Sequence, residues 1–364
     1  MTDADRPATP YIQLHQATLL GNLDRLAEYA ARHRIGLRPH AKTHKSLQIA
    51  AWQLQRGAIG LTVAKPAEAE VFAEACHDLL LAYPVVDAPR AHRIASLAHR
   101  LDMKAAVDSE KSVMTLSAAA SAAGATIGIL VDLDVGLHRT GVQGPVAALK
   151  LAQCVDRAPH VALRGLFCYP GHVWEAANEQ ARALAAVAEQ LQSTLDLWTR
   201  HGLSAEIVSG GSTPTAYQSH LVEQLTEIRP GTYPLNDMNT VRGGYAAVED
   251  CAARIVATVV SDAVADQVVV DAGSKTLAAD RCISAPESGH GYVVEYPEAR
   301  VAKLSEEHGQ IDVSRCAQRP RLGDRVTIIP NHICPCVNLQ NRAWLQTPDR
   351  GLVPLAIDAR GMLA

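Results

Sequence analysis

The sequence predicts an α/β protein, an N-terminal (β/α)8 barrel followed by a separate β domain. Three observations carry that reading. From residue 15 to about 240, Ala/Leu-rich helical patterns alternate with short, nearly all-apolar runs; strands apolar on both faces belong to a parallel sheet covered by helices. After about residue 245 the texture changes to β-branched runs joined by Gly and Pro turns, with no good helix between them. The 364 residues are ample for a large core in one or two domains. The barrel is expected over residues 15–245 and the β domain over 246–364.

In chain order, Leu19–Arg32 has helical spacing in Leu20, Leu23, Leu26, Ala27 and Ala30. The strand-like runs are Ile35–Leu37, Ile59–Val63, Leu79–Tyr83, Ala105–Val107, Ile127–Val131, Leu163–Phe167 and Ala205–Val208, with an eighth around Leu225–Ile228. Pro66–Cys76, Pro145–Cys154 and Trp174–His201 are long enough to act as helical crossovers. Eight such units close most economically as a barrel, although the pattern alone also allows an open doubly wound sheet. In the second part, Ala252–Val260, Gln267–Asp271, Gly291–Tyr296 and Arg325–Ile329 read as strands.

Composition narrows the class. Hydrophobic residues make up 48% and charged residues 20%, as in ordinary soluble globular proteins. A net charge of -4 gives no basic footprint for nucleic acid or an anionic membrane. Eight scattered cysteines do not form a disulfide framework. No run approaches the roughly 18 apolar residues of a membrane span. The start, Met1-Thr2-Asp3-Ala4-Asp5-Arg6-Pro7, is acidic and Pro-containing where a signal peptide needs an apolar stretch. A cytoplasmic enzyme acting on a small molecule is expected.

The densest chemistry lies in Gly36-Leu37-Arg38-Pro39-His40-Ala41-Lys42-Thr43-His44-Lys45-Ser46-Leu47-Gln48, where an apolar approach runs into two His and two Lys within six positions. Such a cluster suits the mouth of a parallel strand. A lysine there that loses its proton can form a Schiff base with a carbonyl; the bland alternative is a basic surface turn. The segment resembles the Schiff-base lysine motif of the D-threonine aldolase and D-serine dehydratase family, pyridoxal-phosphate enzymes of the alanine-racemase fold type. The pattern Arg-Pro-His-x-Lys-Thr-His-Lys is matched throughout, and Lys42 falls on the cofactor-bearing position. The resemblance extends over nearly the whole chain. It implies a barrel and a C-terminal β domain, with residues 1–14 joining the latter, and a homodimer whose partner completes each active site.

Further residues follow from the same resemblance. Gly211, Ser212 and Thr213 in a Gly-Ser-Thr-Pro stretch, and Gly231 and Thr232 after Arg229-Pro230, map onto phosphate-binding positions, with Tyr233 beside them a further cofactor-binding residue. Glycines let backbone approach a ligand and hydroxyls bond phosphate oxygens. Arg229 matches the arginine facing the pyridine nitrogen in alanine racemases, where a cation disfavours ring protonation. Arg139 matches an arginine near the cofactor ring; its alternative is a salt bridge to Asp132 or Asp134. Tyr169-Pro170-Gly171-His172 matches the Tyr-x-Gly-His of D-threonine aldolases, which gives Tyr169 a cofactor contact and His172 a catalytic role in place of a merely solvated loop position.

In Pro330-Asn331-His332-Ile333-Cys334-Pro335-Cys336 an extended chain would turn His332 and Cys334 to one side, toward one ion. Two ligands leave positions open for water and substrate; the alternative is a packed Cys and a hydrogen-bonded His. The thiolate tilts the choice to zinc and away from magnesium, with manganese and cobalt allowed. His-x-Cys matches D-serine dehydratases, whereas some D-threonine aldolases have Asp at the second position. The expected activity is therefore a metal-dependent pyridoxal-phosphate lyase cleaving β-hydroxy-D-amino acids to glycine and an aldehyde. The alternative is a D-serine or D-3-hydroxyaspartate dehydratase giving a ketoacid and ammonia. Two rivals come with the fold: an amino-acid racemase, needing a tyrosine base and no metal, and a non-catalytic cofactor carrier, a type that normally lacks a second domain.

Overall fold

The computed structural model describes residues 6–364. The expectations for Met1–Asp5, no signal peptide and a place in the β domain, fall outside the described residues. The described residues form two compact units. One comprises Asp24–Lys42, Ile49–Gly231 and Met362–Ala364; the other comprises the described N-terminal residues to Leu23, Thr43–Gln48 and Thr232–Gly361.

The second unit opens the sheet with β1 (Tyr11–His15), and the first holds β2 (Gly36–Leu37), β3 (Leu61–Val63), β4 (Asp78–Leu81), β5 (Asp102–Val107), β6 (Ile127–Asp132), β7 (Val161–Phe167), β8 (Ile207–Gly210) and β9 (Glu227–Ile228). The last eight are parallel and hydrogen-bonded in the order β2-β9-β8-β7-β6-β5-β4-β3. One bridge, His40 to Thr62, joins β2's continuation to β3, through Thr62 N–H to Pro39 O and Ala41 N–H to Thr62 O, each 2.8 Å. The strands therefore form the expected barrel and not an open sheet. Leu80, Ala106, Leu130 and Phe167 from four successive strands pack together, with Tyr169 and Ile207 against them. Burial on both faces is why these runs are nearly all apolar.

The expected crossovers are present as Pro66–Phe72 and Gly144–Arg157, and three helices unread in the sequence join them: Leu47–Gln55, Ala88–Ala98 and Glu110–Ala123. The last two start at caps, where the side chains of Asp87 and Ser109 accept from the amides of Arg90 and Ser112. The long helix expected from Trp174 begins only at Ala181. The residues before it are turns, and Gln180 Nε2 donates to the carbonyls of Glu175 at 3.0 Å and Pro214 at 3.1 Å.

The β unit continues with β10 (Ala253–Ser261), β11 (Gln267–Val270), β12 (Gly291–Val293), β13 (Arg300–Leu304), β14 (Gly309–Asp312), β15 (Arg325–Pro330), β16 (Arg342–Thr347) and β17 (Gly351–Ala356). Its sheet runs β13-β14-β11-β10-β1-β16-β17, with β15 paired to both β10 and β12. β1 is interior, antiparallel to β10 and parallel to β16. The four strands read from sequence correspond to β10, β11, β12 and β15. Among those missed, β13 carries exposed polar positions at Arg300 and Lys303. The expectation of no helix here is corrected by Ser274–Leu277 and Ile333–Leu339. In the second of these Pro335 sits in the first turn, where an amide has no intrahelical partner to lose.

Candidate active site

In a parallel barrel the loops that follow the strands gather at one end. Lys42 follows β2, Arg139 follows β6, Tyr169 and His172 follow β7, Gly211–Thr213 follow β8, and Arg229 and Gly231 follow β9. Lys42 is exposed, and the His40 ring nitrogen Nδ1 accepts its amide N–H at 3.4 Å. The motif's second lysine is differently placed. Lys45 is buried within the β unit, has φ 51, and donates its ammonium to Ala359 O at 3.2 Å.

The loop after β6 is organised by Asp134. Its carboxylate accepts from the Gly136 and His138 amides, each at 3.0 Å, from His138 Nδ1 at 2.6 Å and from Gln143 Nε2 at 2.9 Å. Burial opposes its charge, yet these donors hold it below the usual carboxylate range. Arg139 makes neither salt bridge considered for it; its guanidinium stands 4.9 Å from the Tyr169 ring centroid. Gly136 has φ 126, and a Cβ there would lie 2.8 Å from His172 Nε2. His172, itself exposed, thus rests against this pinned loop.

On the next two loops Gly211 has φ 77, and a Cβ on it would come 3.1 Å from Ile228. Ser212 and Thr215 exchange hydrogen bonds, and Thr213 Oγ1 accepts the Gly231 amide at 3.2 Å, tying the two loops together. Arg229 is buried, with Nη1 donating to Ser209 Oγ at 2.6 Å and Nη2 to Cys168 O at 2.7 Å. Burial pulls it down to about 10. An accessible amine, glycine and hydroxyl groups on two tethered loops, and a cation over an aromatic ring make a donor set that fits an aldehyde-bearing pyridine phosphate.

Thr232, Tyr233, His332 and Cys334 belong to the β unit. Tyr233 is buried and its carbonyl accepts from Asn236 Nδ2 at 3.2 Å. His332 caps the helix Ile333–Leu339, so a helix start and not an extended strand brings it to Cys334. Burial opposes the imidazolium, but its hydrogen bond and electrostatic interaction with Cys334 and the carboxylates of Asp237 and Asp280 raise it to about 9. Cys334 Sγ lies 3.2 Å from Thr43 Oγ1 and 3.9 Å from Thr232 Oγ1, and His332 Nδ1 lies 3.5 Å from Asp280 Oδ1. Cys336 is buried and donates to His332 O at 3.3 Å, outside the pair. Among the described residues no three His, Cys, Asp or Glu side chains gather as a metal site. The pair fits an open two-donor site and not a closed structural one. Asp237 and Asp280 had no signal in the sequence beyond being carboxylates; folding alone brings them to His332.

Comparison with known proteins gives the kinship. Residues 14–235 match the family model for the alanine racemase N-terminal domain, and residues 252–345 match one described as a putative serine dehydratase domain. A D-threonine aldolase of Arthrobacter sp. is 32% identical over 346 residues, 92% of this chain and 88% of that protein. A D-threo-3-hydroxyaspartate dehydratase of Delftia sp. is 31% identical over 354 residues, 90% of each chain. A cysteine-to-alanine variant of an enzyme of that name, solved in a metal-free form, superposes with TM-score 0.84 at 28% identity, covering 96% of this chain and 97% of that one. The crystal structure of D-threonine aldolase from Filomicrobium marinum superposes with TM-score 0.90 at 30% identity, covering 98% of this chain and 97% of that one. The chain therefore belongs to the alanine-racemase-type family of pyridoxal-phosphate enzymes, in the group of D-threonine aldolase and its dehydratase relatives. No helix among the described residues is long and apolar enough to cross a membrane.

Proposed function

We propose that this lyase cleaves β-hydroxy-D-amino acids of the D-threonine kind to glycine and an aldehyde. The observation that carries the reading is His172, an exposed imidazole seated on Gly136 beyond β7, at the same end of the barrel as the loop of Lys42. Bound pyridoxal phosphate supplies a carbonyl that captures the amino group and a ring that accepts electrons from Cα. Lys42 would hold it, Gly211, Ser212, Thr213, Gly231 and Thr232 would seat its phosphate, Tyr233 would add a cofactor contact, and Arg139, Tyr169 and Arg229 would flank its ring. His172 would take the β-hydroxyl proton, a task suited to a neutral imidazole. His332 and Cys334 would hold a divalent cation, zinc, manganese, cobalt or magnesium, supplying Lewis acidity. Residues 15–245 would thus carry the cofactor, and 246–364 with 1–14 the metal.

One observation favours the dehydratase alternative: the sulfur of Cys334 beside His332, since a cysteine-to-alanine variant of a D-threo-3-hydroxyaspartate dehydratase was solved in a metal-free form. Offering D-threonine, D-serine and D-3-hydroxyaspartate and assaying glycine against ammonia separates the two. His172→Asn should lower glycine release by about 10²–10⁴, the usual contribution of a positioned base. Ammonia and ketoacid without glycine from the parent, or parent-rate cleavage by the variant, would reject the aldolase reading. A homodimer is part of the proposal, because closing the mouth protects reactive species from water; a competent monomer by light scattering would contradict it.

A further inference from the structure

A ladder of polar side chains crosses the barrel interior. Lys104 Nζ donates to Asp78 Oδ1 at 2.8 Å. Arg38 forks onto Asp78 with its Nη atoms and onto Glu227 with Nε, at 3.0 and 2.9 Å. Ser209 Oγ donates to Glu227 Oε1 at 2.6 Å, and Arg229 Nη1 donates to Ser209 Oγ at 2.6 Å. The direction of every bond is forced. An ionised carboxylate only accepts, so the single proton of Ser209 goes to Glu227 and its oxygen is left to accept from Arg229. Among the described residues Arg229 makes no salt bridge; it also donates to Cys168 O and stands 3.7 Å from the centroid of the Phe167 ring. The aim of this cation is therefore set by Cys168 O, the Phe167 ring and one side-chain hydroxyl, and of these the hydroxyl is the one that Glu227 orients and Arg38 anchors.

We infer that Ser209, with Glu227 behind it, is the positioning residue that fixes Arg229 toward the cofactor ring. The inference rests on the reading that the barrel holds pyridoxal phosphate with Arg229 beside that ring. It predicts that Ser209 acts on the electronic state of the bound cofactor as well as on stability, whereas the far end of the ladder acts on stability alone.

The test titrates apoprotein with pyridoxal phosphate by fluorescence and follows bound-cofactor absorbance against pH, with Tm alongside. Ser209→Ala should weaken cofactor binding about tenfold, the worth of roughly one hydrogen bond, and displace the midpoint of the absorbance titration. Ser209→Thr, which restores the hydroxyl, should return both. Ser209→Cys, similar in shape with a far weaker acceptor, should repeat the shift should the alanine variant not fold. Asp78→Asn loosens the far end of the same ladder and should lower Tm without moving the spectrum. A parent that binds the cofactor while Ser209→Ala and Ser209→Cys titrate like it overturns the inference alone, as does an Asp78→Asn shift equal to that of Ser209→Ala. A parent that binds no pyridoxal phosphate overturns the functional reading and this inference together.

Discussion

Gly136→Ala is the sharpest perturbation of the catalytic assignment, because it changes no group with chemistry of its own. The new Cβ would stand 2.8 Å from Nε2, 2.9 Å from Cε1 and 3.3 Å from Cδ2 of His172. Ordinary contact needs about 3.5 Å, so one side must yield by about 0.7 Å. The loop is the stiffer side, since Asp134 grips the Gly136 and His138 amides and Gln143. The imidazole, exposed on its other face, is what moves. A displacement approaching 1 Å costs up to about a hundredfold in a positioned reaction, so kcat on D-threonine should fall about ten- to a hundredfold. The φ of 126 adds roughly 1–3 kcal/mol of strain, which lowers Tm without bearing on the chemistry. Gly144→Ala separates the two effects: its φ is 78, at the start of the helix that follows the loop, with nothing within 4 Å of the new Cβ. Aldehyde and glycine release would be measured for both, with Tm. Equal losses of kcat, or parent kcat in Gly136→Ala, would refute the positioning of His172 by this loop.

Other expectations follow from the same geometry. Lys42→Ala should abolish the visible absorbance of bound cofactor and all turnover, whereas Lys45→Ala should keep the absorbance and lose about 1–3 kcal/mol of stability with its bond to Ala359 O; the reverse pattern of absorbance would misplace the cofactor lysine. Chelation should remove activity and leave that absorbance intact, and full activity in a rigorously metal-free sample would end the role given to His332 and Cys334. Asp132 is buried and pushed up to about 6 by that burial, the Thr140 hydroxyl only partly offsetting it. A raised carboxyl binds its proton more tightly in the folded state, so its penalty is absent below about pH 4, grows through 6 and is complete above. At about 1.4 kcal/mol per unit that penalty is on the order of 3 kcal/mol. Asp132→Asn should therefore melt above the parent at pH 8, with the gap closing between pH 6 and 4; a gap independent of pH would reject the assignment.

The sequence by itself determined the kinship and most of the barrel. Its strands are buried on both faces, so local apolarity reports them, and Arg38 to Lys45 is a contiguous motif that no folding is needed to assemble. Periodicity also located β10, β11, β12 and β15. It did not reveal the helices Ala88–Ala98 and Glu110–Ala123, capped by Asp87 and Ser109, nor the edge strand β13 and its neighbour β14, which are short and alternate buried with less buried positions. Only the tertiary structure decided that His332 caps a helix, that Lys45 is spent on Ala359, and that His172 leans on Gly136. It alone joined Arg38 to Glu227 across 189 positions and so gave Arg229 its direction. Local pattern records how deeply one element is buried; which side chain meets which across the barrel is fixed by strand order and register, and no short window of sequence contains either.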